Sequence, residues 1–355
     1  MFLRKLFLIT TVFLTHVCLF AQNETNGQIG GTKIFQFLEI PTGARTTALG
    51  SAPVGGNKAD LEVGLIHPSL LNENMHQTVV FQHNDYINDI SFSSFGTAWA
   101  LDSLHTLSFG GMLGNYGSFT RTDAVGNDLG SFTVKDMAVQ AGYSYKIDSS
   151  FTVGTNVKFI NSNYDTYTST GIGFDLSVAY QRVSNDLDMV LTLRNAGKQL
   201  KTYTDSVGDF PLNLTYSLYK RLGQSPLRFA ITADHLEKWD LTFEDPNRIV
   251  EVDPITGEIL NEAQNGFGDK LMRHIKIGTE VLISKSIAAR IGYDYRRRQE
   301  LKVDQKTGAT GISFGFALTL SYFQLSYGYA SYHLSAPSNV FSLQWQFGDF
   351  LHKKS

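Results

Sequence analysis

The feature that most constrains this chain is a period of two that returns again and again after residue 77. Between residues 137 and 145, Met137, Val139, Ala141, Tyr143 and Tyr145 alternate with Ala138, Gln140, Gly142 and Ser144. Successive side chains of an extended strand point to opposite faces, so this spacing marks a strand with one apolar face. The same spacing carries Ile172, Phe174, Leu176, Val178 and Tyr180, then Ile312, Phe314, Phe316, Leu318 and Leu320. It returns in Phe323, Leu325, Tyr327 and Tyr329, and in Phe341, Leu343, Trp345 and Phe347. Weaker copies fall near 78–85, 90–101, 105–116, 151–162, 187–197, 211–222, 226–237, 271–283 and 286–297. Fourteen strands of about ten residues result, the length a tilted strand needs to cross a bilayer.

The chemistry of the two phases separates a membrane barrel from a soluble sandwich. Asp175, Asp188, Arg194, Arg228, Asp234, Lys276, Glu280, Arg290 and Asp294 all fall in the minor, polar phase, which is otherwise rich in Gly, Ala and Ser. The major phase is rich in Tyr and Phe and almost free of charge. Bulky apolar groups outside and small or charged groups inside fit a lipid-facing wall around a polar lumen. Loop lengths point the same way. Short turns at 102–104 and 147–150, and near 184, 223, 284 and 321, alternate with longer connections at 117–134, 163–169, 198–210, 238–270 and 298–309. Short turns on one side and long loops on the other are the mark of an outer-membrane barrel. The expected fold is therefore an all-β, transmembrane antiparallel barrel over residues 77–348. Lipid offers no hydrogen bonds to a strand edge, so the sheet must close. Trp99 and Trp345 are expected as interfacial girdle residues.

Composition excludes other classes. Thirty Lys and Arg against 33 Asp and Glu leave no basic excess for nucleic acid. A mean hydropathy of −0.12 does not accommodate several spanning helices. Residues 1–21 read as a secretory signal peptide: Arg4 and Lys5, an apolar run from Leu6 to Phe20, and Ala21 as the last residue removed. The single cysteine, Cys18, lies in that segment, so the exported chain needs no disulfide. Residues 349–355 read as a tail.

The stretch 22–76 does not alternate, and its length suits a plug or helical cap at the periplasmic end of the lumen. It contains "FLEIPTGARTTALGSA" at residues 37–52 and "HPSLL" at 67–71. With the final strand "FSLQWQF" at 341–347, these strings resemble the PorV/PorQ family of outer-membrane barrels, and the spacing resembles PorQ more than PorV. Arg45, Gly50, Pro68 and Leu70 carry the plug motif. One departure is His67-Pro68-Ser69, where such proteins commonly read Asn-Pro-Ala. The resemblance implies a fatty-acid-transporter-like fold and no enzymatic activity. It further implies a role in the attachment complex of the type IX secretion system, where secreted proteins are processed and linked to lipopolysaccharide. The expected partner is a PorZ-like surface protein.

Candidate binding residues lie in the outer loops. Arg296, Arg297 and Arg298 form a basic triplet where strand 11 leaves the membrane. Arginine forks match phosphate and carboxylate groups, so lipopolysaccharide or an acidic partner fits there, although a solvated rim explains the same triplet. The 238–270 loop carries eight acidic residues, and Trp239 and Phe243 are candidate partner anchors. Its spacing matches no EF-hand, and no cofactor or metal is expected. No His-Glu-x-x-His, phosphate loop or cysteine ligand set occurs. Gly311-Ile-Ser-Phe-Gly315 has the spacing of a nucleophile elbow, but it lies inside an alternating strand and reads as chance. Beside the adaptor, two readings stay open: a transporter of hydrophobic compounds, with Gly-rich strands 3 and 12 supplying a lateral opening, and a barrel hydrolase.

Overall fold

The computed structural model describes residues 33–52, 59–182, 186–242, 266–301, 309–333 and 336–348. The signal segment, the tail and Phe243 with most of its acidic loop lie outside the described residues. Fourteen antiparallel strands close on themselves, each paired with its neighbours in sequence and β1 with β14. They are β1 (Thr78–Ile87), β2 (Ile90–Ala100), β3 (His105–Thr122), β4 (Asp128–Lys146), β5 (Phe151–Tyr164), β6 (Tyr167–Arg182) and β7 (Leu187–Lys201). β8 (Asn213–Arg221), β9 (Leu227–Ala233), β10 (Ile275–Leu282), β11 (Ile287–Asp294), β12 (Ile312–Thr319), β13 (Phe323–His333) and β14 (Ala336–Gln346) complete the ring.

The two phases fall as the alternation requires. Phe81, Phe109, Phe159, Phe316 and Phe341 point outward and are exposed, whereas Asp175, Asp234, Glu280, Arg290 and Asp294 are buried inside. Trp99 and Trp345 sit outward at the short-turn end, and Trp345 stacks on Phe323 at 5.7 Å. Strand ends differ from the expected ones in instructive ways. Residues 117–134 are mostly hairpin, because β3 and β4 stand up past the apolar band with Thr, Ser and Arg on both faces and a Phe119–Phe132 stack at 5.5 Å. Residues 267–274 form a helix, α3 (Phe267–His274), instead of the start of a strand, and an Asp269–Arg273 pair at 2.7 Å spans one of its turns. Past β11 the chain turns into α4 (Tyr295–Leu301), whose first turn is capped by the Asp294 carboxylate accepting from Arg297 N at 3.0 Å.

The lumen is the seat of residues 33–52 and 59–76. Two helices, α1 (Ala44–Ala48) and α2 (Leu61–Ile66), and short 3-10 turns at Gln36–Glu39, Pro68–Leu70 and Glu73–Met75 fill it. The plug reaches further than the periplasmic cap expected from sequence. Residues 59–76 do lie at the short-turn end, where Leu61, Leu65, Leu71 and Met75 pack on Val80 and Ala98. Residues 33–40, however, lie in the long-loop half. There Phe35, Phe37 and Leu38 cluster with Phe92 and Ile160, and Ile34 N donates to Asp209 O at 2.9 Å. An apolar pocket inside the upper barrel gives Phe35 and Phe37 a better place than water does.

Small residues on the wall make room for this filling. A Cβ at Gly328 would meet the Ala44 carbonyl, and one at Gly292 the backbone of Leu49 and Gly50. Gly154 lies against the backbone of Pro68 and Ser69 in the same way. Gly50 itself has φ of 78° and turns the chain against the Tyr293 backbone, a conformation costly for any residue with a Cβ.

Candidate functional site

Arg45, on α1, is only 2% exposed and fixes the plug to the wall. Its guanidinium reaches Asp60 at 3.0 Å within the plug and Glu280 of β10 at 3.5 Å. Glu280 also receives Arg290 at 2.8 Å and Arg228 at 3.1 Å, and Tyr219 donates to it at 3.2 Å. A third carboxylate, Glu62, caps α1 from outside: Thr46 N and Thr46 Oγ1 both donate to Glu62 Oε1 at 2.7 Å. Three arginines thus meet three carboxylates in this buried network. The rest of the plug motif is equally structural. Pro68 opens a 3-10 turn, where its missing N–H costs nothing, and Leu70 packs on Val63, Ala179 and Val190. At the departure from the family string, His67 Nδ1 lies 2.6 Å from Thr192 Oγ1 and Ser69 Oγ 2.5 Å from Ser177 Oγ. Polar plug residues there meet a hydroxyl-bearing wall.

The structure turns the arginine triplet inward instead of displaying it on the rim. Arg297 is buried, lies 4.1 Å from the Tyr332 ring centroid and donates to Ser51 Oγ at 2.6 Å. Arg296 faces Asp234 at 3.6 Å, and Arg298 donates to the Thr310 carbonyl at 3.3 Å. The alternation ends at Asp294, and the helical turn that follows returns these side chains to the barrel mouth. Trp239 remains half-exposed, with Phe267 at 5.3 Å and His274 at 5.8 Å. Nearby Asp240 is pushed up by partial burial, but hydrogen bonds from Lys270 and Thr242 outweigh this and hold its carboxyl at about 2. Ser313, the centre of the elbow-like string, accepts from Gly50 N at 2.9 Å and donates to Ala48 O at 3.2 Å, so it serves the plug.

Sequence reasoning did not single out the free space. A luminal cavity of about 150 Å³ lies beside the plug, with Leu38, Ile40, Leu65, Met112 and Ala138 as its apolar part. Its polar part includes Lys158, Arg194, Asp234 and Lys276. On the lipid side, a groove of about 670 Å³ runs between Phe81, Phe316, Leu325, Tyr327 and Phe341 and is almost wholly apolar. Gln82, Ser94 and Phe95 line both. Beside these shared residues the wall is thin, because Gly110 and Gly111 of β3 offer no side chains there and the Phe95 ring covers Gly111 from outside. The β2–β3 ladder is unbroken, running in one register from Ser91–Asn115 to Ala100–Thr106. Of the two Gly-rich strands expected to kink, β3 supplies this thin wall, while Gly315 of β12 seats Ala48 of the plug.

Lys158 and Asp175 are the other missed pair, 2.8 Å apart beside a bulge at Asn195, whose φ is 56°. Alternation had marked Asp175 and Arg194 as luminal, but partners on different strands leave no signature in the order of residues.

Solved structures share this architecture. The P. putida toluene transporter TodX matches with a TM-score of 0.51 at 13% identity, over 86% of this chain and 98% of its own. The Ralstonia pickettii toluene transporter TbuX matches at 0.50 and 10% identity, and a Pseudomonas aeruginosa FadL homologue at 0.50 and 8%, with the same coverage. No family model and no curated protein matches the chain. At these identities the likeness establishes the fold alone: a closed, fourteen-stranded antiparallel β-barrel.

Proposed function

We propose that this barrel moves small hydrophobic compounds across the outer membrane, taking them into the luminal cavity and releasing them sideways through the wall at β2–β3. The observation that carries this reading is the pair of cavities, luminal and lipid-facing, that share Gln82, Ser94 and Phe95. An apolar solute gains by leaving water for either one. Gln82 and Ser94, paired across β1 and β2, and the Phe95 ring stand where the two meet. The toluene transporters among its structural neighbours agree with this reading.

Ser94 and Met112 stand directly opposite each other on β2 and β3 and both line the cavity, so cysteines there can staple the wall. The sole native cysteine lies in the first 21 residues, which keeps the pair unambiguous. In proteoliposomes, toluene uptake by Ser94→Cys/Met112→Cys is expected to fall at least about tenfold under oxidation and to return on reduction. Uptake indifferent to the staple sinks the sideways route.

A second reading has one observation in its favour. The buried Arg45 network ties the plug to the wall, which suits a membrane anchor for a surface protein of the type IX attachment complex. A mild-detergent pull-down that recovers a stoichiometric surface protein, together with no toluene uptake, decides for that reading.

A further inference from the structure

The buried charges inside this barrel fall into three groups, and their balance differs. Around Glu280, three arginines (Arg45, Arg228 and Arg290) face three carboxylates (Glu280, Asp60 and Glu62). At the mouth, Lys276 and Arg296 share Asp234, with Asp294, Glu300 and Glu39 also acting on Arg296. In the third group the balance tips the other way, within a luminal cavity that Glu39, Glu62, Asp234, Lys276 and Arg296 also line. Lys158 pairs with Asp175 at 2.8 Å, and Arg194 acts electrostatically on both. Asp175 is the one carboxylate among the described residues that serves these two cations.

Arg194 is also underused. Among the described residues its one hydrogen bond runs from Nη2 to the Leu38 carbonyl at 3.3 Å, and Nε of this half-buried side chain has no partner. A planar guanidinium with a free edge is built to hold a carboxylate through two parallel bonds. An unmet buried donor is costly, and a surplus buried cation more so. Opposite this charge, the same cavity presents Leu38, Ile40, Met112 and Ala138. Its volume of about 150 Å³ is that of an engineered apolar cavity that takes up benzene.

We infer that the luminal cavity selects compact amphipathic anions, a single aromatic ring carrying one carboxylate, with Arg194 as the residue that reads the charge. This rests on the transport reading above and narrows its cargo. The ring lies against Met112 and Ala138, and the carboxylate supplies the missing negative charge of the Lys158–Asp175–Arg194 group.

Equilibrium dialysis of the full-length barrel in detergent, with benzoate and its neutral isostere benzamide as probes at neutral pH, tests this. Benzoate is expected to bind at least about tenfold more tightly than benzamide, as a charge-assisted contact implies. Arg194→Gln is expected to abolish the preference by lowering benzoate affinity at least about tenfold, whereas Arg194→Lys keeps part of it. Heat-modifiable gel mobility confirms that each variant is folded. Should Arg194→Gln not fold, Ala138→Phe, which fills the cavity from β4, is expected to remove binding of both probes. Equal binding of benzoate and benzamide, or benzoate binding untouched by either variant, overturns the inference while leaving hydrophobic transport standing. If neither probe binds, the inference falls; if toluene uptake is absent as well, the transport reading falls with it.

Discussion

At the scale of single residues, Arg45 has the most to lose. Burying a guanidinium is tolerable only because Asp60 and Glu280 flank it, and neither can be left alone at little cost. Arg45→Met keeps the length of the side chain and strips Asp60 of its ion pair. It is expected to destabilise the folded barrel by about 3 kcal/mol, measured by urea unfolding in detergent. A loss under about 1 kcal/mol contradicts the view of Arg45 as the fastener of the plug. In sequence, Arg45 was recognisable as part of a motif and Glu280 as a luminal charge. Their meeting was not, because 235 residues separate them and only the closed ring brings them together.

At the scale of elements, the fourteen strands were legible because a half-buried strand writes its period directly into the order of residues. The helices were not. α1 spans five residues and α2 six, too short for an amphipathic period to show. Their stability comes from capping by Glu62 and packing on the wall, which local sequence does not record. The abundance of Gly, Ala and Ser in the inward phase was visible, but not that Gly154, Gly292, Gly315 and Gly328 among them receive the plug. Those positions are sockets. Gly328→Val on β13 places a branched side chain where the Ala44 carbonyl lies and is expected to unseat α1 without opening the strand ladder. Limited proteolysis provides the check: cleavage within 44–52 should appear while the barrel keeps its heat-modifiable mobility. Full protection of that stretch in the variant refutes the socket.

At the scale of the whole molecule, a closed ring and a filled lumen are separate structures joined by buried ion pairs and close backbone contacts. Removing residues 33–76 should leave a ring with its hydrogen bonding intact and its lumen empty. Planar bilayer recordings are expected to show no steady conductance for the intact chain and a stable open level for the truncated one. A silent truncated barrel that is demonstrably folded goes against this account. The same arrangement has a consequence for assembly. The plug is the earliest part of the chain among the described residues, yet α1 rests on β11, β12 and β13, among the last to be made. Its seat does not exist until nearly the whole polypeptide is present, and once β1 pairs with β14 a laterally placed plug can no longer enter. Ring closure and plug seating therefore have to be coincident events. The long delay between making the first segment and giving it a home makes this barrel a candidate for slow, factor-assisted folding in which the unplugged N-terminus must be kept from aggregating.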